Sequence, residues 1–152
     1  MKNNPLLITD ADAIIALLSV QDANHSRAAK ISRYCSDNQA SLLFPITALC
    51  EATTILRKRL NNPEGVIRLI ENTRSGNFPI QFIDQDVFTA ALSVYQPYGS
   101  KQNTLFDAII AALAKHLNAT AIFSFDGWYK KQGFTLASDL LPPAPQEEPA
   151  GG

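Results

Sequence analysis

The chain has 152 residues, of which 46% are hydrophobic and 18% are charged, and its formal net charge is −1. This size and composition are typical of one domain that buries its own core without disulfides or structural metals. The near-neutral charge argues against a protein that holds nucleic acid by bulk electrostatics, because that mode needs a strongly basic surface. Any contact with nucleic acid should therefore be local.

The first half of the chain alternates short apolar runs with amphipathic stretches. Residues 6–9 predict a buried strand, and residues 12–19 and 24–36 predict two helices. Residues 41–44 predict a second strand, which Pro45 closes as it opens a helix that runs to about residue 60. The sequence NNPEG ends that helix, and residues 63–72 predict the next one.

The second half continues the alternation. It predicts strands over residues 78–83 and 119–125, helices over 84–95 and 104–117, and a last edge strand at 134–136. From residue 141 the sequence LPPAPQEEPAGG is too poor in apolar residues to form a core, so we expect one domain over residues 1–140 and a disordered tail over 141–152.

Strands that alternate with helices indicate an α/β fold, a single domain with a mainly parallel central sheet of about four or five strands flanked by helices. No apolar run approaches the roughly 18 residues of a membrane span, and the first ten residues do not resemble a signal peptide. We therefore expect a cytoplasmic protein with no membrane contact.

Acidic residues follow two of the predicted strands. Asp10 comes directly after the first strand and Asp126 after the fourth, and the functional crevice of such sheets lies at the carboxyl ends of the strands. Asp12 is better placed than Asp10 to cap the following helix, which leaves Asp10 without a structural task. Asp126 precedes Gly127, so an ordinary Asp-Gly turn is an equally good interpretation.

Two further acids belong to predicted helices. Asp107 lies in the first turn after Thr104, where a capping box is as good an explanation as a functional role. On a helical wheel Glu51 points away from the apolar stripe, so its default interpretation is a solvated side chain. If the four acids converge, their mutual repulsion raises their pKa values unless a cation holds them, and an all-oxygen cluster is what Mg²⁺ or Mn²⁺ prefers. The implied chemistry is metal-dependent hydrolysis of a phosphodiester.

At this point the sequence resembles a known family. ITDADAIIALL resembles the first motif of PIN domains, FPITALCEATTILRKRL the second acidic motif, and LFDAIIAALAKHLNATAIFSFD the third and fourth motifs in one block. The last is the most specific, since an acid opens an alanine-rich helix that is followed by a short loop and an apolar strand ending in Ser, one residue and Asp. The resemblance covers about residues 6–140, and the compact size resembles the VapC-like ribonuclease toxins of toxin–antitoxin pairs.

The resemblance implies a metal-dependent endoribonuclease. Matched motif by motif, the acids that bind Mg²⁺ or Mn²⁺ and cut RNA in that family fall on Asp10, Glu51, Asp107 and Asp126, with Ser124 as a polar neighbour. It also implies a cognate antitoxin protein and a homodimer. The chain departs from the pattern at Asp12, where PIN domains often carry Ser or Asn, so Asp12 either caps the helix or adds charge to the site.

Three basic residues are candidates for contact with RNA. Lys130 and Lys131 are close in sequence to Asp126, and Arg57 lies in a basic run at a helix end, where compensation of the helix dipole explains it equally well. Trp128 and Tyr129 either stack on a base or cover the core.

Two other interpretations stay open. DADAI also resembles the first motif of haloacid-dehalogenase-type phosphatases, in which Asp10 would attack phosphorus and Asp12 would act as acid and base. The other alternative is a non-catalytic PIN-like scaffold that binds RNA or a protein. The presence of all four acids argues against it.

Overall fold

The computed structural model describes residues 3–146 and 149–151. Its centre is a sheet of four parallel strands in the order β3-β2-β1-β4. The strands are β1 (Leu6–Thr9), β2 (Ser41–Pro45), β3 (Ile80–Gln81) and β4 (Ala121–Phe123). The α/β fold with a mainly parallel sheet is thus confirmed. The first strand, β1, pairs with the last strand, β4, which is the edge strand on that side of the sheet.

Helices cover both faces of the sheet. They are α1 (Ala11–Leu18), α2 (His25–Asp37), α3 (Ile46–Thr54), α4 (Pro63–Ser75), α5 (Gln85–Val94), α6 (Leu105–His116) and α7 (Trp128–Lys131), and a 3₁₀ turn spans Ala137–Leu140. Successive residues of β1 point to opposite faces, so Ile8 packs in the larger core with α3 and α6 while Leu7 packs in the smaller core with α2.

Three predicted strands are shorter in the structure. Of residues 78–83 only Ile80–Gln81 form a strand beside β2: Pro79 has no N–H and contributes only its carbonyl, which accepts the Phe44 N–H at 2.9 Å, and the Phe78 N–H bonds the Asn72 carbonyl at 3.0 Å. The strand predicted over 119–125 ends at Phe123, and the predicted strand at 134–136 is a single bridge between Ile122 and Leu136.

The helix predicted to reach residue 60 changes its geometry before it ends. Its α-helical part stops at Thr54, and Ile55–Arg59 form a π-helical turn whose end is marked by the bond from the Leu60 N–H to the Ile55 carbonyl, 3.1 Å long. Such π-turns are rare and occur frequently near functional sites. This one lies a turn after Glu51.

Helix α6 is buried on more than one side. Leu113 and the alanines at 108, 111, 112 and 114 are all buried. The Asp107 carboxyl group is therefore carried into the molecule by a helix that packs on two faces.

The C-terminal segment leaves the domain gradually. Leu141 still packs against the smaller core, and residues 142–146 and 149–151 have no helix or strand. The rest of the predicted tail, residues 147, 148 and 152, lies outside the described residues. Within the described part, no helix is long and apolar enough to cross a membrane.

Candidate metal centre and active site

Five carboxyl groups from separate elements gather at the carboxyl edge of β1 and β4. We call them the acidic cluster: Asp10 between β1 and α1, Asp12 in α1, Glu51 in α3, Asp107 in the first turn of α6, and Asp126 after β4. Their proximity appears in their electrostatics. Asp12 and Asp107 raise the pKa of Asp10 and of Glu51, and Asp126 raises the pKa of Asp12 and of Asp107. The fold thus brings together all four predicted acids and adds Asp12.

Asp10 is the N-cap of α1. Its backbone is extended, with φ −86° and ψ 164°, and its Oδ1 accepts the N–H of Ala11 at 2.7 Å. The expectation that Asp12 caps this helix and leaves Asp10 without a structural task was therefore wrong. The strand passes into the helix within one residue, because the Asp10 N–H still bonds the Phe123 carbonyl of β4 at 2.9 Å. Asp10 is only 5% exposed, and burial raises its pKa well above the usual value.

Asp12 ties α1 to the end of β4. Its Oδ2 accepts the Ser124 hydroxyl at 3.0 Å and the Phe125 N–H at 2.8 Å. The Ser124 hydroxyl oxygen in turn accepts the N–H of Asp126 at 3.1 Å. Burial raises the pKa of Asp12, and its Oδ1 is buried without a hydrogen-bond partner among the described residues. Ser124 is thus a polar neighbour of the cluster, as expected, through both Asp12 and Asp126.

Glu51 faces the cluster, so the default expectation of a solvated side chain was wrong. Burial, followed by the charges of Asp107 and Asp12, raises its pKa to about 7. Its Oε2 is buried and has no partner in the described part of the chain. The helical wheel missed this orientation because the buried alanines at 48 and 52, on the same side of α3, are too small to register as part of an apolar stripe.

Asp107 and Asp126 each keep the local role that their sequence suggested. Asp107 Oδ2 accepts the Thr104 N–H at 2.8 Å, which completes a capping box, and Asp126 Oδ1 accepts the Trp128 N–H at 2.9 Å in a turn. Burial raises the pKa of Asp107. Both side chains remain half-buried beside the cluster, so a structural and a functional role coexist in each residue.

Tyr129 is a member of the site that the motifs did not identify. Its side chain is fully buried, and its hydroxyl donates to Asp10 Oδ2 at 2.7 Å and lies 3.4 Å from Asp107 Oδ1. The ring covers the core, which was one of the two expectations for it. The signal in the sequence was its position, three residues after Asp126 in the same turn at the sheet edge.

The acidic cluster is better suited to bind a hard metal cation than to pair with a lysine or arginine side chain. Among the described residues the one ion pair joins Lys130 to Asp139 at 3.0 Å, so no lysine or arginine forms an ion pair with the cluster, and only the more distant charge of Arg59 lowers the pKa of Glu51. No three His, Cys, Asp or Glu side chains of the described part converge tightly enough to enclose a metal. Two buried carboxylate oxygens nevertheless lack partners, Asp12 Oδ1 and Glu51 Oε2. This donor set suits an ion that binds through a few carboxylates and keeps several waters, as Mg²⁺ does.

The basic residues predicted near the site differ in their surroundings. Lys130 is held by Asp139, whereas Lys131 lines a cavity of about 260 Å³ together with Trp128 and Thr104. Arg57 is exposed on the π-helical turn, with Nη1 3.4 Å from the Asn61 side-chain oxygen. Trp128 is half-buried and packs edge-on against Tyr129, with ring centroids 5.2 Å apart.

The family model described as the PIN domain matches residues 7–134, which include all five members of the acidic cluster. The chain belongs to the PIN-domain family. It is also similar in structure to Mycobacterium tuberculosis VapC20, a toxin that cleaves the sarcin-ricin loop, with a TM-score of 0.71 and 18% identity. The similarity covers 85% of this chain and 96% of that one. No curated protein matches the sequence closely enough to count as a relative.

Membership of the PIN family removes the basis for the phosphatase interpretation. That mechanism needs Asp10 as an accessible nucleophile and Asp12 as a free acid and base. In this PIN domain both Asp10 oxygens accept hydrogen bonds in a buried position, and Asp12 is bound to Ser124 and Phe125. Neither group is arranged for that reaction.

Proposed function

We propose that this PIN domain is a metal-dependent endoribonuclease that hydrolyses phosphodiester bonds of RNA. The observation that carries the proposal is that the acidic cluster gathers five carboxyl groups, none of which forms an ion pair with a lysine or arginine of the described residues, and that Asp12 Oδ1 and Glu51 Oε2 are buried and unpaired. Like charges gathered in a partly desolvated site are costly unless a cation compensates them. PIN-family nucleases generally use a divalent metal ion, which is the cation that this cluster requires.

We propose that the four acids form the site for Mg²⁺ or Mn²⁺, which would bind directly to a few of the carboxylates and reach the others through its own waters. When bound, such an ion activates water and neutralises the charge that develops on the phosphodiester. Glu51 Oε2 is buried without a hydrogen-bond partner in the described part of the chain, so it is available as a ligand for the ion. Asp12 and Ser124 hold the turn that carries Asp126, so we propose that they orient that acid without touching the substrate.

For contact with RNA we propose Lys131 first, with Arg57 as a more distant contact. Lys131 shares its cavity wall with Thr104, whose N–H binds Asp107, and with Trp128, whose N–H binds Asp126. A phosphate held there is next to the acids. Lys130 was an equal candidate on sequence alone, but its ion pair with Asp139 must open before it binds phosphate, which makes it the weaker of the two.

We further propose that the protein is the toxin of a toxin–antitoxin pair, acts in the cytoplasm and forms a homodimer, with a cognate antitoxin as its inhibitor. The likeness to VapC20 supports the first point. Large exposed apolar side chains support contact with other proteins, because they concentrate on three consecutive elements. They are Ile67 and Ile70 of α4, Ile80 and Phe82 at β3, and Phe88, Leu92 and Val94 of α5. The catalytic unit is proposed to be residues 1–140, with residues 141–152 as an appended tail.

Cleavage of a pool of structured RNAs tests the proposal, with Mg²⁺ or Mn²⁺ compared against EDTA. We expect metal-dependent cutting by the wild type. In Asp10→Asn we expect the cleavage rate to fall by more than the roughly 10–100-fold that is typical when a residue hydrogen-bonded to a metal ligand is removed. Asp86→Asn, an exposed acid on α5, is the matched control and should cut normally. If neither metal supports cutting although the RNA is bound, the protein is a non-catalytic binding module and the proposal fails.

A further inference from the structure

Asp10 is the most enclosed acid of the cluster, and its hydrogen bonds are accounted for. Its Oδ1 accepts the Ala11 N–H and its Oδ2 accepts the Tyr129 hydroxyl, both at 2.7 Å. With 5% exposure it has almost no access to water, and no lysine or arginine in the described part of the chain pairs with it. Tyr129 is therefore the one side chain that gives Asp10 Oδ2 a donor.

The buried tyrosine hydroxyl also needs the acids, because they supply its hydrogen-bond acceptors. The ring is fully buried in the larger core, where a phenylalanine would give the same apolar contacts. A buried hydroxyl without a partner costs stability, so its presence is explained by the carboxylates that it faces. The distances are unequal, 2.7 Å to Asp10 and 3.4 Å to Asp107, so the proton belongs to the Asp10 bond while the oxygen stays beside Asp107.

This geometry links acids that come from distant parts of the chain. Asp10 follows β1 and Asp107 opens α6, and the hydroxyl of α7 lies between them. Hydrogen bonds to ligating carboxylates typically fix the orientation of the ligand and contribute to metal affinity. We propose that Tyr129 is a positioning residue that holds the Asp10 carboxyl group in its orientation toward the metal, and so sets the affinity of the site for Mg²⁺ or Mn²⁺. The inference rests on the proposed function.

Tyr129→Phe tests it, because the change removes one oxygen and keeps the ring. We expect calorimetric titration with Mn²⁺ to give a dissociation constant about tenfold higher than that of the wild type. With RNA we expect a lower kcat at limiting Mn²⁺, an unchanged KM, and recovery of kcat when Mn²⁺ is raised. Tyr98→Phe removes a hydroxyl from a fully exposed ring and should change none of these values.

Each outcome separates this inference from the proposed function. Equal Mn²⁺ affinity in Tyr129→Phe and the wild type, with a lower melting temperature alone, makes Tyr129 merely structural and overturns the inference while leaving the nuclease intact. No Mn²⁺ binding by the wild type overturns both. If Tyr129→Phe does not fold, a Mg²⁺ titration of the wild type with ¹³C-labelled tyrosine replaces it. The Tyr129 resonance should then shift while that of Tyr98 stays, and an unmoved Tyr129 overturns the inference.

Discussion

Glu51 is half-buried in α3 with its carboxyl group toward the acidic cluster, and its pKa of about 7 lies well above the ordinary value of 4.5. The folded protein thus holds this proton more tightly than the unfolded chain does. Between pH 4.5 and about 7 the folded state binds more protons, so the free energy of unfolding falls as the pH rises through this window. The stabilisation is fully present at lower pH and is lost above the folded-state pKa.

Glu51→Gln should remove this dependence in the metal-free protein, because glutamine has a similar shape and does not ionise. We expect the variant to be more stable than the wild type by about 1 kcal/mol at about pH 8, a value reduced for solvent screening at this half-buried position, and the two to converge below pH 4.5. Urea unfolding in EDTA across this range measures the difference. Glu71→Gln, an exposed acid on α4, is the control, and a Glu51→Gln curve parallel to that of the wild type would contradict the assignment.

At the scale of elements, Ser124 joins α1 to the turn between β4 and α7. Its buried hydroxyl donates to Asp12 and accepts from the Asp126 N–H, so Ser124→Ala removes both bonds without filling new space. We expect a loss of about 1–3 kcal/mol in the free energy of unfolding, because Asp12 Oδ2 loses a hydrogen-bond donor and the Asp126 N–H loses its acceptor in a partly buried environment. Chemical denaturation measures it, and Ser93→Ala on the exposed side of α5 is the control. A loss no greater than in the control would show that Ser124 does not hold the turn.

How far the sequence predicts these elements depends on where their stabilising contacts lie. Apolar runs such as β1 and the periodic pattern of α6 were predicted nearly to the residue, since burial of their own side chains decides them. The limits of β3 and β4 were not, because they depend on Pro79 and on bonds from Asp12 to residues more than one hundred positions away.

The same distinction separates the acids from their surroundings. Residue type and position at strand ends predicted Asp10 and Asp126, and the family resemblance added Glu51. Local preference allows an Asp N-cap at position 10 or at position 12, so the sequence alone did not distinguish them. The start of the helix depends on the bond from the Asp10 N–H to β4, which local preference does not include. Tyr129 was beyond the motifs, because its contact with Asp10 spans 119 positions of the chain.

For the whole molecule, the metal site proposed at the acidic cluster would make the folded state a receptor for divalent cations. A ligand that binds only the folded state stabilises it by mass action, by about 2.7 kcal/mol at a hundred times its dissociation constant. For a domain of this size we expect the melting temperature to rise by roughly 5–10 °C at that concentration of Mg²⁺. Differential scanning calorimetry checks the shift near pH 8. NaCl at equal ionic strength and the Asp10→Asn variant with Mg²⁺ should both lack it; an equal shift in either would mean that the cluster is not the binding site.

The pairing of β1 with β4 also determines when during synthesis the site can exist. Asp10 is synthesised more than one hundred residues before its neighbouring strand β4 and the Tyr129 hydroxyl. A nascent or prematurely terminated chain that ends before β4 carries three of the four proposed ligands. It lacks the strand that pairs with β1 beside the proposed site. The proposed site can therefore form only after β4 and α7 have been synthesised.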